Sequence, residues 1–277
     1  MSAAEIHPSA IVEEGAVLGQ GVRIGPWCTV GANAVLEDGV QLVSHAVVDG
    51  RTRLGEGVTL MPFASVGLPP QDLKYKNEPT RLEIGARTLL REHATVHRGS
   101  VGGEGVTRIG ADCLIMACAH VGHDCQLSHH VILANNVMLG GHVEIGDTVF
   151  VGGGAAVHQF VRIGRQSVVG GMSGVERDLI PYGACLGDRA RLTGLNIIGL
   201  RRRGFEHSRI LSLRALVADI FTGEGERADR LGPARARWGD DPAAAEILDF
   251  LTARSRRRFM GMRHHGAQND EAAGEAA

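Results

Sequence analysis

Aromatic side chains make up only 4% of this 277-residue sequence, so its core is not built from packed rings. Charge of one sign is also missing. Lys and Arg total 29 against 31 Asp and Glu, a net of -2, which excludes a global field that would recruit nucleic acid or an anionic membrane. No uninterrupted apolar stretch approaches the roughly 18 residues of a membrane span, and "MSAAEIHPSA" lacks a basic segment followed by an apolar run. The chain therefore reads as cytoplasmic, with no membrane span. CxxC spacing is absent too. Cys28, Cys113, Cys118, Cys125 and Cys185 form an odd set that suits free thiols and supports neither a disulfide framework nor a zinc ribbon. Present in excess is glycine, 39 residues, and the apolar fraction of 44%, enough to bury a core, must come from aliphatic and small side chains.

Those aliphatic residues recur every sixth position. From Ile6 the series runs through Val12, Leu18, Ile24 and onward to Val66; it resumes in phase at Ile84, Leu90 and Val96. After a slip of one residue it continues from Ile109 to Val175, giving 26 positions without an exception. A fixed short period is the signature of a solenoid. Within each hexad the second residue is often Gly (Gly19, Gly25, Gly31) and the fifth is small (Ala10, Ala16, Cys28), so strand and turn alternate and three hexads complete an 18-residue turn. The expected architecture is mainly β, a left-handed parallel β-helix; its hand is taken from similarity to known hexapeptide-repeat proteins. Four of the five cysteines, all but Cys118, fall at the small inward position, which makes them core residues rather than nucleophiles.

The repeat is interrupted at residues 67–83 and 97–108, expected to be loops. Beyond residue 188 the spacing becomes helical, and Asp241 followed by Pro242 is a helix start. The predicted organisation is a β-helix over 1–188, an α-helical domain over 189–260, and a polar, disordered tail over 261–277.

Counted from Ile109 on the 18-residue turn, His123, His142 and His158 come at phases 14, 15 and 13, on one corner strip with Asp124, Gly141 and Gln159. His120 precedes that corner. His129 and His130 belong to another corner and, with His45, His264 and His265, read as turn residues. A His beside a carboxylate suits general-base catalysis, and the glycines could expose an N–H to an oxyanion. Zinc held by three histidines is the rival reading, disfavoured because His123 and His158 lie two rungs, roughly 10 Å, apart. From Arg189 to Arg214 seven arginines face a single acid, Glu206, which reads either as a solvated helix face or as a dock for phosphate or an acidic protein.

The motifs "QDLKY" (71–75), "HVGHDC" (120–125), "ILANNVMLGGHV" (132–143), "VHQF" (157–160) and "GLNIIGLRRRGF" (194–205) resemble those of one family. It is the UDP-N-acetylglucosamine O-acyltransferases, which begin lipid A synthesis in Gram-negative bacteria. The resemblance implies that His123 is the general base, Asp124 its orienting partner and the Gly141 N–H the oxyanion donor. It further implies substrate contacts from Asp72, Lys74, His120, His142, His158 and Gln159, nucleotide contacts from Asn196 and Arg202, and an acyl groove ending at Gly171. By the same resemblance the protein is a homotrimer with sites between subunits. It takes its 3-hydroxyacyl chain from phosphopantetheinylated acyl carrier protein, and the acceptor is UDP-N-acetylglucosamine or its 3-amino analogue. No metal or other cofactor is implied. Ile198 stands where some members carry an acidic nucleotide contact. Two alternatives share the coil: the UDP-3-O-acylglucosamine N-acyltransferase, which has a further domain before its solenoid, and a zinc hydro-lyase of γ-carbonic anhydrase type, which has no use for "QDLKY" or "NIIGLRRRGF".

Overall fold

The structure, a computed structural model, describes residues 3–262. Short strands, most of them two residues long, stack into three sheets of eleven, nine and eight strands, parallel throughout except for the last strand of the eleven-stranded sheet, and each hexad supplies one strand. In the two-residue strands the aliphatic residue comes second, and from Ile24 onward it is buried. His120–Val121 pairs with Met138–Leu139, which pairs with Ala156–Val157, an 18-residue register that brings Val121, Leu139 and Val157 into one buried ladder. Each fully buried aliphatic side chain, Ile115 or Leu133 for example, stabilises the coil by about 1.5–3 kcal/mol. This is a left-handed parallel β-helix, with Ile11 and Val17 more than half exposed at its open first turn.

Both interruptions leave the coil at one corner, between the nine-stranded and eight-stranded sheets. Leu54 pairs with Ile84 and Ile84 with Ile109, separations of 30 and 25 residues in place of 18, so whole coils continue beneath the inserted chain. The loops are shorter than the sequence suggests. Ser65–Leu68 and Arg81–Ile84 are strands, as are Thr95–His97 and Val106–Ile109, which leaves only 69–80 and 98–105 outside the ladder. Thr52, Leu82 and Thr107 explain this: they turn inward and keep the rung filled before the aliphatic position is reached.

The last turn also departs from expectation. Val169 pairs with Cys185 after 16 residues, so Cys185 fills an aliphatic rung instead of the small fifth position; it is buried, as are Cys28, Cys113 and Cys125. The helical region does not begin at 189. Arg191–Leu195 is a strand antiparallel to Gly183–Leu186 and closes the eleven-stranded sheet. Helices α1 (Ile197–Arg202), α2 (His207–Thr222), α3 (Arg227–Trp238) and α4 (Pro242–Thr252) follow. The Asp241 carboxylate accepts from the Ala243 and Ala244 N–H groups, capping α4 with Pro242 at its first position. The chain then returns to the coil. Buried Asp178 accepts from the Arg162 guanidinium (2.8 Å) and the Ser255 hydroxyl (2.6 Å), and Gly261 and Met262 lie against Leu192. Of the expected tail only these two residues are described; 263–277, with His264 and His265, lie outside.

Candidate active site

Three columns of residues define the corner where the loops emerge. Strand register sets His123 beside Gly141 and Gln159, Asp124 beside His142 and Phe160, and Gly122 beside Gly140 and His158. Asp124, His142 and Phe160 sit at φ of 60°, 61° and 64°, left-handed conformations that the tight turn requires and that glycine supplies elsewhere. Asp124 is 4% exposed, and its Oδ2 lies 2.8 Å from His123 Nδ1. Burial alone would raise the Asp124 pKa; bonds from His123 and Ser100 outweigh it and hold the carboxyl below its usual range. A carboxylate only accepts, so His123 carries its proton on Nδ1 and leaves Nε2 as the basic nitrogen. The imidazole lies against Gly141, where a Cβ would stand 2.6 Å from both Cε1 and Nε2. Among the described residues the Gly141 N–H donates to no acceptor.

His123, His142 and Gln159 line one cavity of about 640 Å³ together with Asp72 and Lys74 from loop 69–80, so two segments fifty residues apart meet. His142 packs edge-on to His123, with ring centres 5.0 Å apart, and stacks on Phe160 at 4.4 Å. Burial lowers the His142 pKa; Asp124 opposes this, and His123 and Arg256 add to the depression. His120 is turned to Thr95, 2.7 Å from its hydroxyl, and packs edge-on to His97. His158 is not gathered with the other two. Its Nδ1 is 2.5 Å from Arg257 of the returning C-terminal segment, because its column lies one residue before that of His123. Asn196 caps α1 through its side-chain oxygen and donates to Gln166 O, Arg202 ends that helix, and Gly171 lies on a different corner beside Gly153. None of the three lines the cavity.

Four features escaped sequence reasoning: Ser100, which bonds Asp124; His97; the Phe160 stack; and Arg256, whose guanidinium lies over Phe160 at 4.5 Å. The phase count could have found Phe160, one residue after Gln159. The arginine cluster is weaker than its count. Arg209 makes a bidentate pair with Asp241 of α4 at 2.7 and 2.8 Å, and Arg203 bonds Gly199 O, so both are committed within the fold. Arg201, Arg202 and Arg214 remain exposed. The potential ligand atoms of His123, Asp124 and His142 lie within 4.8 Å of one another, close enough to face one metal ion. This donor set is two histidines and a carboxylate in place of three histidines, and the Asp124 oxygens already accept from His123 and Ser100.

Over 257 residues the chain is 48% identical to the acyl-(acyl-carrier-protein)-UDP-N-acetylglucosamine O-acyltransferase of Azorhizobium caulinodans, covering 93% of this chain and 95% of that protein. It is 46% identical over 259 residues to the protein of the same name from Rickettsia bellii, with 94% and 92% covered. The chain belongs to the UDP-N-acetylglucosamine O-acyltransferase family. The family description "Udp N-acetylglucosamine O-acyltransferase; Domain 2" matches residues 178–260 of this member, from buried Asp178 through the four helices to Met260. The UDP-N-acetylglucosamine acyltransferase from Campylobacter jejuni shares the fold at a TM-score of 0.87 and 34% identity, covering 94% of this chain and all of that one. Family membership bears out the resemblance of the motifs and sets aside the two rival readings. In this member no helix among the described residues is long and apolar enough to cross a membrane.

Proposed function

We propose that this O-acyltransferase moves a 3-hydroxyacyl chain from acyl carrier protein to the 3-position of UDP-N-acetylglucosamine or its 3-amino analogue, the first step of lipid A synthesis. His123 Nε2 removes the proton from the 3-substituent as its oxygen or nitrogen attacks the thioester carbonyl. The Gly141 N–H receives the resulting oxyanion. Collapse expels the phosphopantetheine sulfur, and the imidazolium, steadied by Asp124, returns the proton to it. Neither a metal nor an acyl-enzyme takes part. The observation that carries this reading is the His123 pair: Nδ1 bound to a buried carboxylate and, among the described residues, Nε2 without a partner and an unbonded N–H on the glycine beneath the ring.

Asp72, Lys74, His142 and Gln159 hold the sugar nucleotide in the cavity they line. Asn196, Arg202 and Gly171 lie away from His123 in one chain, so their nucleotide and acyl-groove roles require a neighbouring subunit, as in a homotrimer. The exposed arginines of α1 and α2 dock the acidic carrier protein in the cytoplasm. The test is to supply 3-hydroxyacyl carrier proteins of several lengths with UDP-N-acetylglucosamine and with its 3-amino analogue, and to identify products by mass. A single acyl group added to either acceptor is expected. Failure with both would overturn the proposal.

A further inference from the structure

Loop 98–105 folds back over the buried side of the His123 pair. Its backbone is pinned by Gly103 and Gly105, whose N–H groups both donate to Ser100 O at 3.2 and 3.1 Å. Ser100, 5% exposed, donates its N–H to both Asp124 oxygens at 3.0 Å and its hydroxyl to Oδ2 at 2.6 Å. That Oδ2 is the atom facing His123 Nδ1. The approach is close: a Cβ on Gly103 would stand 2.5 Å from Asp124 Cγ and 2.8 Å from His142 Cε1. From the other side, the Thr107 hydroxyl accepts the Asp124 N–H at 2.8 Å. A two-atom carboxylate on a left-handed turn residue would otherwise be free to rotate about its χ2 torsion. Ser100 fixes that torsion, and with it the direction in which the imidazole is held.

We infer that Ser100 is a positioning residue of this site, a third member behind Asp124 and His123 that fixes the carboxylate through its hydroxyl. The inference rests on His123 being the base. Ser100 acts through Asp124 and bonds no substrate, so its loss lowers kcat and leaves the KM for the sugar nucleotide in place. Thr and Val have nearly the same shape and differ by the hydroxyl, which makes Ser100→Thr and Ser100→Val the informative pair. In steady-state assays on the full-length enzyme, Ser100→Val is expected to lose kcat by about 10- to 100-fold, the range for one hydrogen bond to a charged group, with KM within about twofold. Ser100→Thr is expected to recover most of that loss, and both should melt within a few degrees of one another. Equal impairment of Thr and Val, a Val variant with kcat near the parent, or a change confined to KM would overturn the inference. Parental turnover tests the reaction itself, whereas the Thr-to-Val ratio tests the positioning, so the two fail separately.

Discussion

Two corners of one coil carry histidines, and they use them in opposite ways. At the corner between the eight- and eleven-stranded sheets, His129 Nδ1 accepts the Ala111 N–H of the preceding coil at 3.0 Å, and Asp147 accepts the His129 N–H at 3.0 Å. There the side chains close turns, and the imidazole nitrogen is spent on backbone. At the corner between the nine- and eight-stranded sheets the carboxylate is aimed at an imidazole, and glycine replaces a side chain beneath the ring. The repeat, the left-handed turn residue and the residue types are shared. What differs is the inserted chain. Both loops emerge at one corner only, burying Asp124 under Ser100 and enclosing the cavity with Asp72 and Lys74. A solenoid corner becomes a site when something outside the repeat covers it.

Substitutions can break that contrast. Asp124→Asn removes the charge that balances the His123 imidazolium and is expected to cost about 100-fold or more in kcat, read in a steady-state assay. Gly141→Ala pushes a methyl carbon into the His123 ring, and the displaced base should lose about 10- to 100-fold with the melting temperature little changed. A smaller effect concerns stability. Burial, with the neighbouring His120, His123 and Arg98 adding to it, lowers the His97 pKa from 6.5 to about 4. The unfolded chain therefore binds a proton that the folded one refuses. That contribution is complete above about pH 6.5 and is lost as pH falls toward 4, a change of about 3 kcal/mol. Denaturant midpoints measured between pH 7 and 4 should fall less steeply for His97→Gln than for the parent.

Much of this contrast was legible in the sequence. The six-residue period placed the strands, and counting by 18 put His123, Gly141 and Gln159 in one column and Asp124 with His142 in the next. The same count separated His129 and His130. The strip also took in His158, which the structure turns to Arg257, a partner 99 residues away that no local period reveals. Ser100 was invisible for a related reason: it lies in an insertion, where phase has no meaning, and only the folded loop brings it to Asp124. The arginine-rich stretch holds fewer uncommitted arginines than its count because Asp241, which neutralises Arg209, belongs to a later helix. Loop limits were drawn too wide because Thr52, Leu82 and Thr107 continue the ladder with inward residues outside the six-residue count.

The most direct test compares the two corners in one assay: turnover of His123→Ala and His129→Ala with 3-hydroxyacyl carrier protein and UDP-N-acetylglucosamine, each beside its melting temperature. His123→Ala should retain its melting temperature and lose about 1,000-fold or more in kcat. His129→Ala should turn over at close to the parental rate and lose about 1 kcal/mol of stability with its turn bond. Near-parental turnover by His123→Ala, or an equal loss of activity from both corners, would contradict the account.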